Sequence, residues 1–168
     1  MQADKPHYTL TFKKSDRDKW LFGNLAEKWR EAYPTVFDED DIRVLTTPAQ
    51  RRYHFYEWLV AKKFYEEDGH ISLMENYMAK SHPRKRAAIK EIVSSPIFDW
   101  LDKNKSGQPD LFVYHPQSLS WFLCEVKGPG DVIRENQKVW LSGFQELMQR
   151  EGLHQSKRWY LAEVVLAK

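Results

Sequence analysis

Two short apolar runs constrain this chain most: Leu111 to His115, and Trp121 to Lys127. The turn His115-Pro116-Gln117-Ser118 lies between them, and Gly128-Pro129-Gly130 stops the second run. That pattern predicts a β-hairpin spanning 110–127. The hairpin is framed by charge. Asp110 starts one strand, and Glu125 and Lys127 close the other, two residues apart and so on one side of the sheet. Charges ending a buried strand are unfavourable unless they are paired or bound to a cation. Two nearby carboxylates also repel unless positive charge lies between them. Asp110, Glu125 and the Val126 carbonyl would suit Mg²⁺, with Lys127 beside it, while by spacing alone they equally read as a turn aspartate and a solvated Glu-x-Lys pair.

The flanking elements complete an α/β pattern. Pro48 to Asp68 reads as a long helix stopped by Gly69, and His70 to Asn76 as a strand. Pro83 opens a helix that Pro96 breaks or restarts before Ile97–Leu101. Asp131 is placed to cap a helix running to about Glu151, followed by a last strand from Trp159 to Leu166. Toward the start, His7–Lys13 reads as a strand. Ser15 can cap a helix through Trp20, Leu25 and Trp29, ending near Pro34, and Phe37–Asp41 is loop-like. The order predicts a mixed sheet of about four strands flanked by helices. On this reading, 1–47 is an N-terminal extension, and 48–168 is a domain with a helical insert at about 77–104.

At 168 residues and 42% hydrophobic, the chain is the size of one ordinary domain, and its core is rich in aromatics. No apolar run is long enough to cross a membrane. No leader peptide is visible at the start. One cysteine, Cys124, excludes an internal disulfide and any cysteine-based zinc site. The six histidines contain no HxxxH or HxH pair, so zinc-protease chemistry has no support. A reducing, cytoplasmic compartment is expected.

Charge is distributed unevenly. Residues 51–90 carry 9 basic and 5 acidic side chains, whereas the segments on either side are each slightly acidic. Arg51, Arg52, Lys62, Lys63, Arg84, Lys85 and Arg86 stand here among Tyr53, Phe55, Tyr56, Trp58, Phe64 and Tyr65. Such interleaving suits phosphate contact and base stacking, and it equally suits a solvated helix with an aromatic core face.

The string Gly107-Gln108-Pro109-Asp110-Leu111, then Glu125-Val126-Lys127-Gly128-Pro129-Gly130-Asp131, then Gln137 and Trp140, resembles the VRR-Nuc domain of the PD-(D/E)XK nuclease superfamily. The agreement is dense over 107–141. The resemblance implies a restriction-endonuclease-like core and a metal-dependent phosphodiesterase acting on DNA, with Mg²⁺ or Mn²⁺ as cofactor. Asp110, Glu125 and the Val126 carbonyl would hold the metal, Lys127 would be the catalytic lysine, and Gln137 would face the site. Trp140 would pack its helix on the sheet. The family also places a glutamate on its first helix. Glu57 is the candidate, because it shares a face with Tyr53, Val60, Ala61 and Phe64; Glu66, Glu67 and Glu75 are weaker ones. Where the family usually carries an arginine after Gly-Pro-x-Asp, this chain has Val132, with Arg134 two residues on as a further DNA contact.

The expected substrate is branched DNA, a four-way junction or a flap, with a possible homodimer and a nucleoid-associated location. The alternative class is a non-catalytic nucleic-acid-binding module that keeps the fold.

Overall fold

The computed structural model describes residues 7–34, 48–74 and 76–168, apart from the side chains of 48–53. In chain order the elements are β1 (Tyr8–Phe12), α1 (Lys14–Phe22), α2 (Leu25–Ala32), α3 (Pro48–Asp68), β2 (Ile71–Met74), α4 (Pro83–Ile92), α5 (Ser95–Lys103), β3 (Leu111–Tyr114), β4 (Trp121–Lys127), α6 (Glu135–Arg150) and β5 (Trp159–Leu166).

The sheet runs β1-β5-β4-β3-β2. β2, β3 and β4 are antiparallel neighbours, and the β3–β4 pair is the predicted hairpin, with Leu111 opposite Cys124 and Tyr114 opposite Trp121. β4, β5 and β1 are parallel. A parallel pair needs a crossover, which α6 supplies between β4 and β5.

Residue alternation sorts the core into two layers. Leu111, Val113, Cys124, Val126, Ala162 and Val164 face the aromatic side of α3, where Phe55, Trp58 and Phe64 are buried together with Trp20 of α1. Phe112, Trp121, Leu123 and Leu161 face the other way, against Ile89 of α4, Leu101 of α5, and Trp140, Phe144 and Leu147 of α6. The expected mixed sheet flanked by helices is thus observed. Glu125 and Lys127 continue the parity of Leu123, which turns them toward α6.

Several boundaries differ from expectation. The sheet has five strands, because β1, assigned to the extension, pairs with β5 from Tyr8–Ala162 to Phe12–Leu166. Ser15 does not cap the first helix. That helix begins at Lys14 with Lys13 at its N-cap, and Gly23 and Asn24 split the predicted run into α1 and α2. Asp131 does not cap α6 either. Its Oδ2 accepts the Gly128 N–H at 3.0 Å and closes the turn after β4, so α6 starts at Glu135 with Arg134 as N-cap. The Phe37–Asp41 loop, Glu75 and the side chains of Arg51, Arg52 and Tyr53 lie outside the described residues.

Candidate active site

Asp110 and Glu125 meet where β3 begins and β4 ends. The Val126 N–H donates to Asp110 Oδ2 at 2.8 Å, which clips the residue before β3 onto β4. Glu125 is 2% exposed and lies within hydrogen-bonding reach of Asp110. Burial, then the charge of Asp110, push the Glu125 carboxyl up to about 8 against the opposing pull of Lys127. Burial also raises Asp110, opposed by the Val126 N–H and Lys127. Two carboxyls this close and this dry cannot both ionise without added positive charge. Burial and crowding therefore oppose the ionisation of both at once.

Positive charge is supplied from one side. Lys127 Nζ lies 2.7 Å from Glu125 Oε1. Gln137, in the first turn of α6, closes a ring around them. Its Nε2 donates to Glu125 Oε1 at 2.5 Å, and its Oε1 accepts from Lys127 Nζ at 3.2 Å. The same Oε1 accepts the Arg134 N–H at 2.9 Å, an N-terminal helix donor with no partner inside the helix. Gln137 thus satisfies the start of α6 and orients the lysine and glutamate of β4. Trp140, three residues on, is buried and donates from Nε1 to the Asn104 carbonyl at 2.6 Å, which fixes α6 to the loop before Asp110.

Two glycines of the motif have steric reasons to be glycine. Gly107 has φ +83, and an added Cβ would stand 2.3 Å from the Asn136 carbonyl oxygen. The strand leading to Asp110 therefore presses directly on the first turn of α6. A Cβ on Gly128 would fall 2.4 Å from the Tyr56 ring of α3, so the turn after Lys127 packs against that helix.

Asp110 opens onto a cavity of about 380 Å³ lined also by His54, Glu57, Met74, Asn76, Lys105 and Gln108, among others. Glu57 is half-buried and shares this cavity with Asp110, as its place on the inward stripe of α3 predicts. Among the described residues, however, no three His, Cys, Asp or Glu side chains are grouped tightly enough to hold a metal ion. Glu57 and Asp110 thus line one cavity without forming such a group with Glu125. The rival glutamates are engaged elsewhere: Glu66 accepts the Tyr33 hydroxyl and pairs with Lys62, and Glu67 pairs with Lys63.

A divalent cation fits the donor set. The donors are all oxygen, which suits Mg²⁺ or Mn²⁺ and not a softer ion. Burial and the charge of Asp110 disfavour an ionised Glu125, a conflict that such an ion would relieve. The Val126 N–H is the part of that residue seen to contact Asp110.

The basic residues divide. Lys85 is corrected: it is 1% exposed, and its Nζ donates to the Met74 carbonyl at 2.6 Å inside the core, out of reach of DNA. Arg86 is half-buried, bonded to Asp102 and to the Met78 carbonyl at 2.7 Å, and so ties α4 to α5. Lys62 and Lys63 are held in ion pairs one turn along α3, and Lys62 lies over the Trp29 and Tyr33 rings. Arg84 and Arg134 are exposed. Lys105 and His54 were missed from sequence. His54 precedes Glu57 by three residues and so shares its helix face, a signal that was available.

The comparisons with known proteins come to the same place. The VRR-NUC domain model matches residues 50–157. The chain belongs to the VRR-NUC family. Human Fanconi-associated nuclease 1 is 25% identical over 96 residues, 52% of this chain and 9% of that protein. The Caenorhabditis briggsae homolog is 42% identical over 52 residues, 29% of this chain and 6% of the other. The Pseudomonas aeruginosa homolog is 38% identical over 45 residues, 27% and 8% respectively. The chain therefore matches less than a tenth of each of these relatives. A solved structure of paFAN1 bound to DNA with a two-nucleotide 5′ flap and a gap is 17% identical with a TM-score of 0.32, over 94% of this chain and 32% of that one. Among the described residues no helix is long and apolar enough to cross a membrane.

Proposed function

We propose that this chain is a Mg²⁺- or Mn²⁺-dependent endonuclease that hydrolyses phosphodiester bonds in branched DNA, a four-way junction or a flap. The observation that carries the reading is the group of Asp110, Glu125, Lys127 and Gln137, in which a buried carboxyl and a half-buried one stand within reach of each other. Such a carboxylate pair is unfavourable in a structural role and useful for holding a cation against a phosphate.

Asp110 and Glu125 would hold the ion, with the Val126 carbonyl and Glu57 as further donors. When bound, the ion supplies Lewis-acid stabilisation of the phosphate charge and lowers the pKa of water. The rest is done by the chain's own groups. Lys127 presents an ammonium held by Glu125 and Gln137, aimed to stabilise charge on the scissile phosphate or to orient the attacking water. Gln137 fixes the direction of that ammonium. Arg84 and Arg134, exposed on α4 and at the start of α6, hold neighbouring phosphates, with Arg51 and Arg52 as further proposed phosphate contacts. Binding of this kind reads phosphates and DNA shape, not base sequence.

Cutting both strands of a four-way junction needs two sites related by symmetry, which a homodimer supplies. The test is single-turnover cleavage of a junction, a 5′ flap and a matched duplex, each with Mg²⁺, Mn²⁺ or EDTA, beside the mass of the chain in solution with junction bound. Cleavage of branched DNA that is abolished by EDTA is expected. Equal cleavage of plain duplex would remove the structure selectivity. DNA binding without any cleavage would favour a non-catalytic module.

A further inference from the structure

Tyr77 lies in the turn after β2, between Asn76 and Ala79, both of which line the Asp110 cavity. Its side chain is 1% exposed, with the ring 6.0 Å from that of Phe112 in the core under α6. Its hydroxyl is buried and, among the described residues, has no hydrogen-bond partner. A phenylalanine would fill the same space without that unmatched hydroxyl, which carries the desolvation penalty of a missing bond. The ring's apolar contacts therefore do not account for the oxygen.

The surroundings do. Phe112 stands opposite Leu123, so the Tyr77 ring packs on the sheet face that carries Asp110 and Glu125 two residues along. Burial first, then the charges of Asp110 and Glu125, keep the phenol a neutral donor. The pair already accepts from β4 and α6. Asp110 takes the Val126 N–H, and Glu125 takes Lys127 and Gln137. A cation held by the pair would keep both carboxyls ionised, and ionised carboxylates have lone pairs to spare for a further donor. Ligating carboxylates are commonly hydrogen-bonded in turn, and such outer partners set the affinity of the site.

We propose that Tyr77 is a positioning residue whose hydroxyl donates to the Asp110–Glu125 carboxylates when they hold a divalent cation. Satisfying this hydroxyl would contribute part of the binding energy of the ion. The inference rests on the metal-dependent reading and adds to it a residue outside the motif.

The experiment is Tyr77→Phe, read by Mn²⁺ titration calorimetry and by thermal melting with EDTA and with Mn²⁺. A structural tyrosine and a positioning tyrosine give opposite patterns. The positioning role predicts a melting temperature in EDTA equal to or above that of the parent, together with Mn²⁺ affinity weaker by about 10-fold. It also predicts a Tyr ultraviolet difference signal on Mn²⁺ addition that the variant lacks. Equal Mn²⁺ affinity in parent and variant overturns the role of Tyr77 while leaving the metal site standing. A lower melting temperature in EDTA overturns it as well, because the hydroxyl would then be satisfied without metal. If the parent itself binds neither Mn²⁺ nor Mg²⁺, the metal-dependent reading falls and takes this inference with it.

Discussion

Gln137 Nε2 donates to Glu125 Oε1 across 2.5 Å, joining the first turn of α6 to the end of β4. The same amide holds Lys127 through its oxygen, so one side chain sets the orientation of two charged ones. Gln137→Ala is expected to lower single-turnover cleavage by about 10–100-fold, the usual effect of removing an orienting partner. DNA affinity should stay near that of the parent. Comparing the cleavage rate with the DNA dissociation constant checks this; an unchanged rate would leave Gln137 as a helix cap alone.

Lys127→Ala removes the ammonium from a site where it lies 2.7 Å from a buried carboxyl. Cleavage should fall by about 10²–10⁴, the range for a positioned proton-transfer group. Divalent-cation affinity should hold or rise, since a competing positive charge has gone. Calorimetric metal titration beside single-turnover kinetics separates the two effects. Near-parental cleavage would take Lys127 out of the chemistry.

The carboxyl pair also makes a stability prediction for the metal-free chain. Glu125 titrates near 4.5 when unfolded and is pushed up to about 8 when folded. Between those values the folded state binds more protons than the unfolded one, so stability falls as pH rises through the window. His7 and His70 are lowered by burial and slope the opposite way, but only below their ordinary value of 6.5. From about pH 6.5 to 8 the decline therefore belongs to the carboxyl pair. Melting temperature against pH in EDTA should show it, and Glu125→Gln should flatten it. A flat parental curve over this range would contradict the burial and crowding described for the pair.

Lys85 and Arg84 are adjacent and should behave oppositely. Lys85→Ala leaves a cavity and an unmatched Met74 carbonyl and should destabilise the fold by about 2–4 kcal/mol. Arg84→Glu, at an exposed position, should leave melting unchanged and weaken DNA binding most at low salt. Chemical denaturation and salt-dependent DNA titration of the two variants check the pair. A stable Lys85→Ala chain with weakened DNA binding would reverse the assignment.

What could be read before folding was local. The Pro48–Asp68 helix, the 111–127 hairpin and the Pro83 and Pro96 helix starts carry their own start and stop signals, and they appear as read. Asp110, Glu125 and Lys127 were legible because strand parity and hairpin closure bring them together without long-range information. The pairing of β1 with β5 spans most of the chain and leaves no local trace. Lys85 was hidden by its neighbours: the Arg84-Lys85-Arg86 run reads as a charged surface, although Lys85 stands four residues before buried Ile89 on the same helix face. Asp131 has the side chain of a cap, but the tighter Gly128 turn claims it. Tyr77 carries no sequence signal at all, since it lies in an irregular turn and only the tertiary fold brings it near the carboxyls.

The most direct test of the account is cleavage of branched DNA by the parent chain and by an Asp110→Asn, Glu125→Gln double variant, with Mg²⁺ and with EDTA. The double variant removes the crowded negative charge, so it should fold at least as stably as the parent without metal. The account predicts cleavage by the parent in Mg²⁺, none in EDTA, and none by the variant under either condition, while the variant still binds DNA. Cleavage by the variant at a parental rate, or parental cleavage that survives exhaustive chelation, would contradict it.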